Sequence, residues 1–431
     1  MPAFYLATLG CAKNIVDSAG ARLAFLAQGW EETLHPKEAD LLIVNTCGFI
    51  TQAKEESIET MLELSAQRKP GAHLVMAGCF AERNAAELRA ALPEADAFIG
   101  IHFAEALAKN PFAKGIHPAQ TYHPVFGASA EAEPGAAWLK LSDGCDNGCS
   151  YCAIPMIRGA FRARAHTAIT EEARLLAAKG IRELNLIAQD SARYADPNDP
   201  SYTLPRLLDD LEEIDGIRWI RILYLHPASL REDLIERMLV GGKVLPYFDI
   251  PVQALVDATL RRMRRRVNYA HIRALVTHIR SQNPDAILRT TLITGYPGET
   301  SVDHRETLQK MRELAFDKLG CFIYSREEGT DAAREAGQVS QRTKAGRYDA
   351  IMRLQQGISA ERLKRFVGQT LEVLVSETKP SLSGRSYQDS PDVDGMISFT
   401  KTARQSAVRA GDMVQVRITA SGAYDLSGEL V

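Results

Sequence analysis

Gly144-Cys145-Asp146-Asn147-Gly148-Cys149-Ser150-Tyr151-Cys152 is the stretch that decides how this chain folds and what it does. Three thiols at Cys-x3-Cys-x2-Cys spacing share one short loop, and the two glycines let that loop bend. Three thiolates so placed can hold three corners of a four-iron cluster and leave the fourth iron open. Zinc would want a fourth ligand that the stretch does not offer. The loop follows the apolar run Ala137 to Leu141, so it stands at the carboxyl end of a strand, where β/α barrels carry their chemistry.

Working outward from the loop, strand candidates recur at Leu184 to Ala188, Trp219 to Leu225, Phe248 to Val252, Ile287 to Ile293 and Cys321 to Tyr324, with helical patterns between them. Six such units predict a partial (β/α)6 barrel whose sheet need not close. A polar helix over Gln341 to Phe366, with Ile351, Leu354, Ile358 and Leu363 at helix spacing, packs back on it. Toward the amino end, Phe4 to Leu9, Asp40 to Asn45 and His73 to Ala77 alternate with helical runs at Ile15 to Ala27, Ile50 to Ala66 and Ala81 to Leu92. That order gives an open parallel α/β domain. Beyond the barrel, Thr370 to Val375, Gly395 to Phe399, Met413 to Ile418 and Tyr424 to Leu430 are short β runs between Ser, Gly, Pro and Asp, the pattern of a small antiparallel β-barrel. The expected divisions are therefore 1–125, a small polar linker at 126–136 that includes Gly127 to Gly135, a barrel at 137–365, and the C-terminal unit at 366–431.

Composition constrains partners. The 431 residues are 45% hydrophobic and 24% charged, which excludes a disordered chain. Lys and Arg total 51 against 54 Asp and Glu, a net charge of −3, so nothing in the bulk electrostatics calls for a nucleic-acid partner. No apolar run approaches a membrane span, and the first ten residues lack the basic and apolar regions of an export signal, so the chain reads as cytoplasmic, without a membrane partner. Seven cysteines in such a chain argue for ligation or catalysis over disulfides.

Three of the other cysteines repeat one placement. Cys11 follows Thr8-Leu9-Gly10, Cys47 follows Leu42 to Thr46, and Cys79 follows Leu74 to Gly78, each at the carboxyl end of an expected parallel strand. Ligands bind at that edge of open α/β sheets, and three thiols there can converge across long sequence separations. A second cluster with an open iron is the natural product. Cys321, inside an apolar run, reads as core.

The Cys145, Cys149, Cys152 spacing resembles the radical S-adenosylmethionine (SAM) superfamily, and the two cysteine triplets with the C-terminal β unit resemble its methylthiotransferase family over essentially the whole chain. Leu9-Gly10-Cys11-Ala12-Lys13-Asn14-Ile15-Val16-Asp17-Ser18, Val44-Asn45-Thr46-Cys47-Gly48-Phe49-Ile50 and Ile187-Ala188-Gln189-Asp190 are similar to the RimO-type branch. Further matches include Arg158-Gly159, Leu225-His226-Pro227, Asp249-Ile250-Pro251, Gly295-Tyr296-Pro297-Gly298-Glu299-Thr300 and Glu328-Gly329-Thr330, and Pro391 to Gly395 resembles a TRAM domain. The resemblance implies two 4Fe-4S clusters, on Cys11, Cys47, Cys79 and on Cys145, Cys149, Cys152, with SAM bound at the second. It places Tyr151 near the adenine; Gln253, Arg289 and Gly295 are the other candidates for cofactor contact. It implies transfer of a methylthio group to the β-carbon of an aspartate in the twelfth small-subunit ribosomal protein, an external electron donor, and docking of the ribosomal protein through the TRAM unit. The alternative is the MiaB-type branch, which modifies tRNA adenosine.

Ala19, Ala163, Ala254 and Val256 depart from the family pattern, which puts polar roles there in doubt. Within 366–431, six basic residues (Lys379, Arg385, Lys401, Arg404, Arg409, Arg417) face eight acidic ones (Glu372, Glu377, Asp389, Asp392, Asp394, Asp412, Asp425, Glu429), which suits a basic protein better than an RNA backbone. The run Arg261, Arg262, Arg264, Arg265, Arg266 reads as a solvated helix face. His271 and His278 share a helix face without Cys or carboxylate partners and are assigned no metal.

Overall fold

The computed structural model describes residues 1–112, 114–117, 130–401 and 407–431. In the N-terminal part, β1 (Ala3–Thr8), β2 (Glu31–Glu32), β3 (Leu41–Thr46), β4 (His73–Gly78), β5 (Ala97–Ile99) and β6 (Gly115–His117) form one parallel sheet in the order β2-β1-β3-β4-β5-β6. Every residue of β3 and β4 is buried, as a parallel sheet covered on both faces requires. Leu42, Val44, Leu74 and Met76 face α2 (Thr51–Gln67) and α3 (Cys79–Ala91), whereas Leu41, Ile43, Val75 and Ala77 face α1 (Ala12–Ala27) and α4 (Phe103–Lys109). Neighbouring β1, β3 and β4 all point the same way, so their carboxyl ends fall side by side.

The expected linker is only partly described, its residues 126–129 lying outside the described residues. From Glu131 it is not a spacer: Glu131–Glu133 is β7, antiparallel to β8 (Ala136–Lys140). After β8 come the short antiparallel pair β9 (Ser142–Asp143) and β10 (Arg162–Ala163), with α5 (Ile154–Arg158) between them. The barrel strands are β8, β11 (Glu183–Ile187) and β12 (Trp219–Ile222) in one arc and β13 (Tyr247–Asp249), β14 (Ile287–Thr294) and β15 (Lys318–Ile323) in another, parallel within each arc. An isolated Ile220 to Val244 bridge lies between the arcs, and the barrel is open as expected. β13 stops earlier than the apolar run Phe248 to Val252 suggested, because Pro251 has no N–H to donate; the ladder resumes at Gln253, whose φ is +70°.

Alternation along these strands sorts their chemistry. Leu184, Leu186, Ile220, Ile222, Leu288 and Leu292 pack outward in one apolar core. Lys140, Glu183, Arg221, Asp249, Arg289 and Lys318 turn inward, so the lumen is polar.

The amino end of that lumen is closed by the C-terminal unit. β16 (Thr370–Glu377), β17 (Leu382–Arg385), β18 (Ile397–Thr400), β19 (Met413–Ser421) and β20 (Leu426–Leu430) make a closed barrel, antiparallel except for the β18–β20 pair. The sequence reading missed β17. Just beyond it Ser386, Gln388, Asp389 and Ser390 are buried. Arg385 pairs with Glu133 and Glu183, Arg221 with Glu183 at 2.8 Å, Lys318 with Asp389, and Arg289 with Asp394 at 3.4 Å. Arg385, Asp389 and Asp394 are thus internal charges paired with the barrel, and the five basic and six acidic residues left to this unit keep it slightly acidic.

Replacing Arg385 by Ala leaves Glu133 without its ion pair and Glu183 with Arg221 alone, and a broken buried pair costs about 3–5 kcal/mol. The variant should unfold at lower denaturant and be cleaved sooner by trypsin near residues 362–369, whereas Arg417→Ala, which removes an exposed pair with Glu429, should change neither measurably.

Candidate functional site

The loop that ends β1 crosses directly over Cys47. Gly10 has φ +92°, and a Cβ there would come 2.7 Å from Cys47 Cβ and 3.2 Å from its Sγ. Gly48 touches the next segment, since its Cβ would meet Phe80 Cα at 2.7 Å and Cys79 O at 3.0 Å. These two close approaches bring Cys11, Cys47 and Cys79 together, as the strand order predicted. Asn14, in the first turn of α1, braces them. Its Nδ2 donates to Leu9 O (2.8 Å) and Thr46 O (3.1 Å), and its Oδ1 accepts from Cys79 Sγ at 3.6 Å. Burial pushes the Cys79 thiol up to about 12 and raises Cys47 as well, so ligation there releases protons.

The second cysteine loop is held from several sides. A Cβ on Gly144 would lie 2.1 Å from Ala160 O, so only glycine fits. The Cys145 N–H donates to Gly159 O (3.0 Å) and the Cys152 N–H to Cys149 O (3.1 Å). Asn147 donates to Asp190 at 2.8 Å, Asp190 also accepts from Ser229 at 2.7 Å, and Ser150 Oγ lies 2.8 Å from Tyr296 OH. Ile187-Ala188-Gln189-Asp190 thus works by fastening this loop.

Both cysteine groups meet at α5. Cys79, Ile101, Ala153 and Ile157 form one buried cluster, and Ala153 directly follows Cys152. Arg158, the last residue of α5, donates to Cys79 Sγ (3.5 Å), Asn14 Oδ1 (2.9 Å), Asp17 Oδ2 (2.7 Å) and Asp143 Oδ2 (2.9 Å). Lys140 pairs with the same two carboxylates, at 2.5 Å to Asp17 and 3.3 Å to Asp143. Burial would raise Asp143, but Arg158 and Lys140 outweigh it and hold that carboxyl well below the usual range. Gln189 donates to it too, at 3.0 Å.

The donor sets are thiols alone. Each group offers three thiols and, among the described residues, no histidine or carboxylate to complete a zinc shell, which matches a four-iron cluster gripped at three corners. A guanidinium stands by each group: Arg158 at Cys79, and Arg265 Nη1 at 3.5 Å from Cys149 Sγ. Cations beside sulfur suit anionic thiolate ligation.

The other expected site residues fare differently. Tyr151 is half-buried against the barrel core beside Cys149. Gln253 lies at the strand end with its Oε1 buried and without a partner among the described residues. Arg289 is engaged within the lumen, its Nη1 holding Asp249 (2.9 Å) and its Nε holding Asp394. Gly295 has φ +74°, and the side on which a Cβ would stand is filled by Lys344, whose Cγ would lie 2.3 Å from it. The reading of the arginine run is corrected at Arg265, which is only 6% exposed and reaches Cys149. Ala19, Ala254 and Val256 are buried apolar contacts, Ala163 pairs in β10, and Cys321 is core. Sequence reasoning missed Lys140, Asp143 and Arg265. Arg158 stood in a matched motif without a role. Lys13 is 6% exposed, with Nζ 3.0 Å from the Tyr224 ring centroid, and burial lowers it to about 8.

Three family models match: uncharacterized protein family UPF0004 over residues 3–100, the radical SAM superfamily over 139–311, and the TRAM domain over 367–431. Proteins described as ribosomal protein uS12 methylthiotransferase RimO are 41% identical from Geobacter sulfurreducens, covering 99% of this chain and 98% of that one, and 38% identical from Desulfitobacterium hafniense, covering 98% and 97%. The fold is shared with the radical SAM methyltransferase TsrM from Kitasatospora setae, at TM-score 0.51 and 14% identity over 77% of each chain. It is shared also with the cobalamin-dependent radical SAM enzyme OxsB, at TM-score 0.51 and 11% identity over 83% of this chain and 56% of that one. Among the described residues no helix is long and apolar enough to cross a membrane. This is a radical SAM enzyme, and the chain belongs to the RimO methylthiotransferase family.

Proposed function

We propose that the chain attaches a methylthio group to the β-carbon of an aspartate in ribosomal protein uS12, using SAM and two 4Fe-4S clusters. The observation that carries this reading is the junction at α5, where Cys79 of one group shares a buried cluster with Ala153, next to Cys152 of the other, and accepts from Arg158 at the end of that helix. Chemistry that joins a carbon radical to a sulfur group needs both centres at one cavity.

In this reading Cys145, Cys149 and Cys152 hold the cluster that takes SAM, and Cys11, Cys47 and Cys79 hold the one that carries sulfur. Bound in the loop, the first cluster would supply the electron that cleaves SAM to a 5′-deoxyadenosyl radical, the agent needed for a C–H bond that no side-chain base can ionise. The chain's own residues fix the geometry. Arg265 neutralises the Cys149 edge, Asp190 and Asn147 stiffen the loop, and Arg158 ties both groups to Asp17 and Asp143. The TRAM unit closes the amino end of the lumen, so substrate and cofactor enter from the carboxyl end, and the outer face of that unit is left for the ribosomal protein. An external donor delivers the electron. The domain divisions follow as 1–125, 137–365 and 366–431, with β7 joined to the barrel.

Cys149→Ala should abolish reductive cleavage of SAM while iron remains on the N-terminal group; Cys11→Ala should still cleave SAM but transfer no methylthio group. In cells lacking the gene, uS12 should be lighter by one methylthio group with an unchanged tRNA nucleoside profile, and the opposite pattern would sink the protein-substrate reading. The stability that Asp143 contributes through its lowered folded value is full above about pH 4 and is lost as pH falls through that value. Asp143→Asn should therefore unfold more easily than the parent at pH 7, and the gap between them should narrow on acidification below pH 4.

A further inference from the structure

Buried charges around the mouth shared by the two cysteine groups come with partners. Arg158 and Lys140 divide Asp17 and Asp143, Arg289 holds Asp249 and Asp394, and Arg265 reaches Cys149 Sγ and Pro251 O. Lys13 differs. Its side chain is as buried as theirs, yet among the described residues no ion pair or hydrogen bond takes its ammonium, which rests on the face of Tyr224. An aromatic face offsets part of what a cation loses on leaving water, and a carboxylate offsets far more. Of the acidic groups near it, the foremost is the Cys11 sulfur of the N-terminal cysteine group, and the two carboxylates, Asp249 and Asp143, are both already engaged by arginine.

Its position is as telling as its lack of a carboxylate. Lys13 stands two residues beyond Cys11, in the first turn of α1, and reaches across to Tyr224 just past the carboxyl end of β12. Tyr224 is held in place by its own N–H, which donates to Asp249 Oδ2 at 2.9 Å. The ammonium thus bridges the N-terminal cysteine group and the barrel mouth.

We propose that Lys13 anchors the substrate's side-chain carboxylate, taking it in a charge-assisted hydrogen bond. This rests on the protein-substrate reading above and deepens it. The carboxyl carbon of aspartate is bonded to the β-carbon, so fixing the carboxylate fixes the reacting carbon one bond away, between the two cysteine groups. An adenine ring has no anion to offer at this point, so the same ammonium selects an acidic side chain over a base.

The test uses the reconstituted holoenzyme without oxygen, and purified uS12 in two forms: with its target aspartate, and with that residue changed to asparagine. The wild-type enzyme should bind the aspartate form roughly tenfold or more tightly. Lys13→Met, of similar length but uncharged, should bind both forms alike, with iron content and the electron paramagnetic resonance signals of both clusters retained. Equal binding by the wild type, or discrimination kept by Lys13→Met, overturns the assignment. Loss of the N-terminal cluster signal in Lys13→Met overturns it too, by making Lys13 a support for that cluster. If wild-type enzyme with SAM and reductant leaves the mass of uS12 unchanged, the protein-substrate reading itself has failed; if uS12 is modified without discrimination, only the role of Lys13 has.

Discussion

Two cations and two anions make this molecule one enzyme. Lys140, Asp17, Asp143 and Arg158 come from three places in the chain, and Lys140, Asp143 and Arg158 are almost wholly out of water. Desolvating four charges is costly, and the cost is offset only when all four meet in good geometry. Asp17 belongs to the N-terminal α/β unit and the other three to the barrel, so the set is complete only when the two are docked. Arg158 converts that docking into site geometry, because the same guanidinium reaches Cys79 and Asn14. Assembly of the domains and alignment of the two cysteine groups are thereby one event.

Much of this was legible in sequence, for reasons that can be named. Buried parallel strands such as Leu41–Thr46 and His73–Gly78 are continuous apolar runs, and the cysteines after them occupy equivalent points of a repeating β-loop-α unit. Their convergence followed from topology. The ligand loop was legible because cluster ligation from a single loop requires short spacing. What stayed hidden depends on side-chain direction. Arg265 sits among arginines that look alike in sequence, yet it is the one that lies buried by Cys149. Arg289 and Gly295 matched expected motifs, but Asp394 and Lys344, more than 100 and about 50 residues away, decide what surrounds them. The charge sum of the C-terminal unit hid the same thing: it does not tell which charges, such as Arg385, Asp389 and Asp394, face inward.

The polar lumen explains why the barrel can stay open. A closed (β/α) barrel fills its centre with apolar side chains. Here the inward residues are Glu183, Arg221, Asp249, Arg289 and Lys318, which cannot pack without counter-charges. The C-terminal unit supplies them at the amino end through Arg385, Asp389 and Asp394, and α1 supplies Ala12, Val16 and Ala19 against Trp138 and Leu223. Each accessory unit completes part of the barrel that its own helices leave unfinished.

The plug formed by Arg385 to Ser390 carries a lesson for anyone redesigning such enzymes. A tail that merely hung from the barrel could be exchanged for another to redirect the enzyme to a new target. This one is wired to Glu133, Glu183, Arg221 and Lys318, so a transplant would have to bring its sockets along.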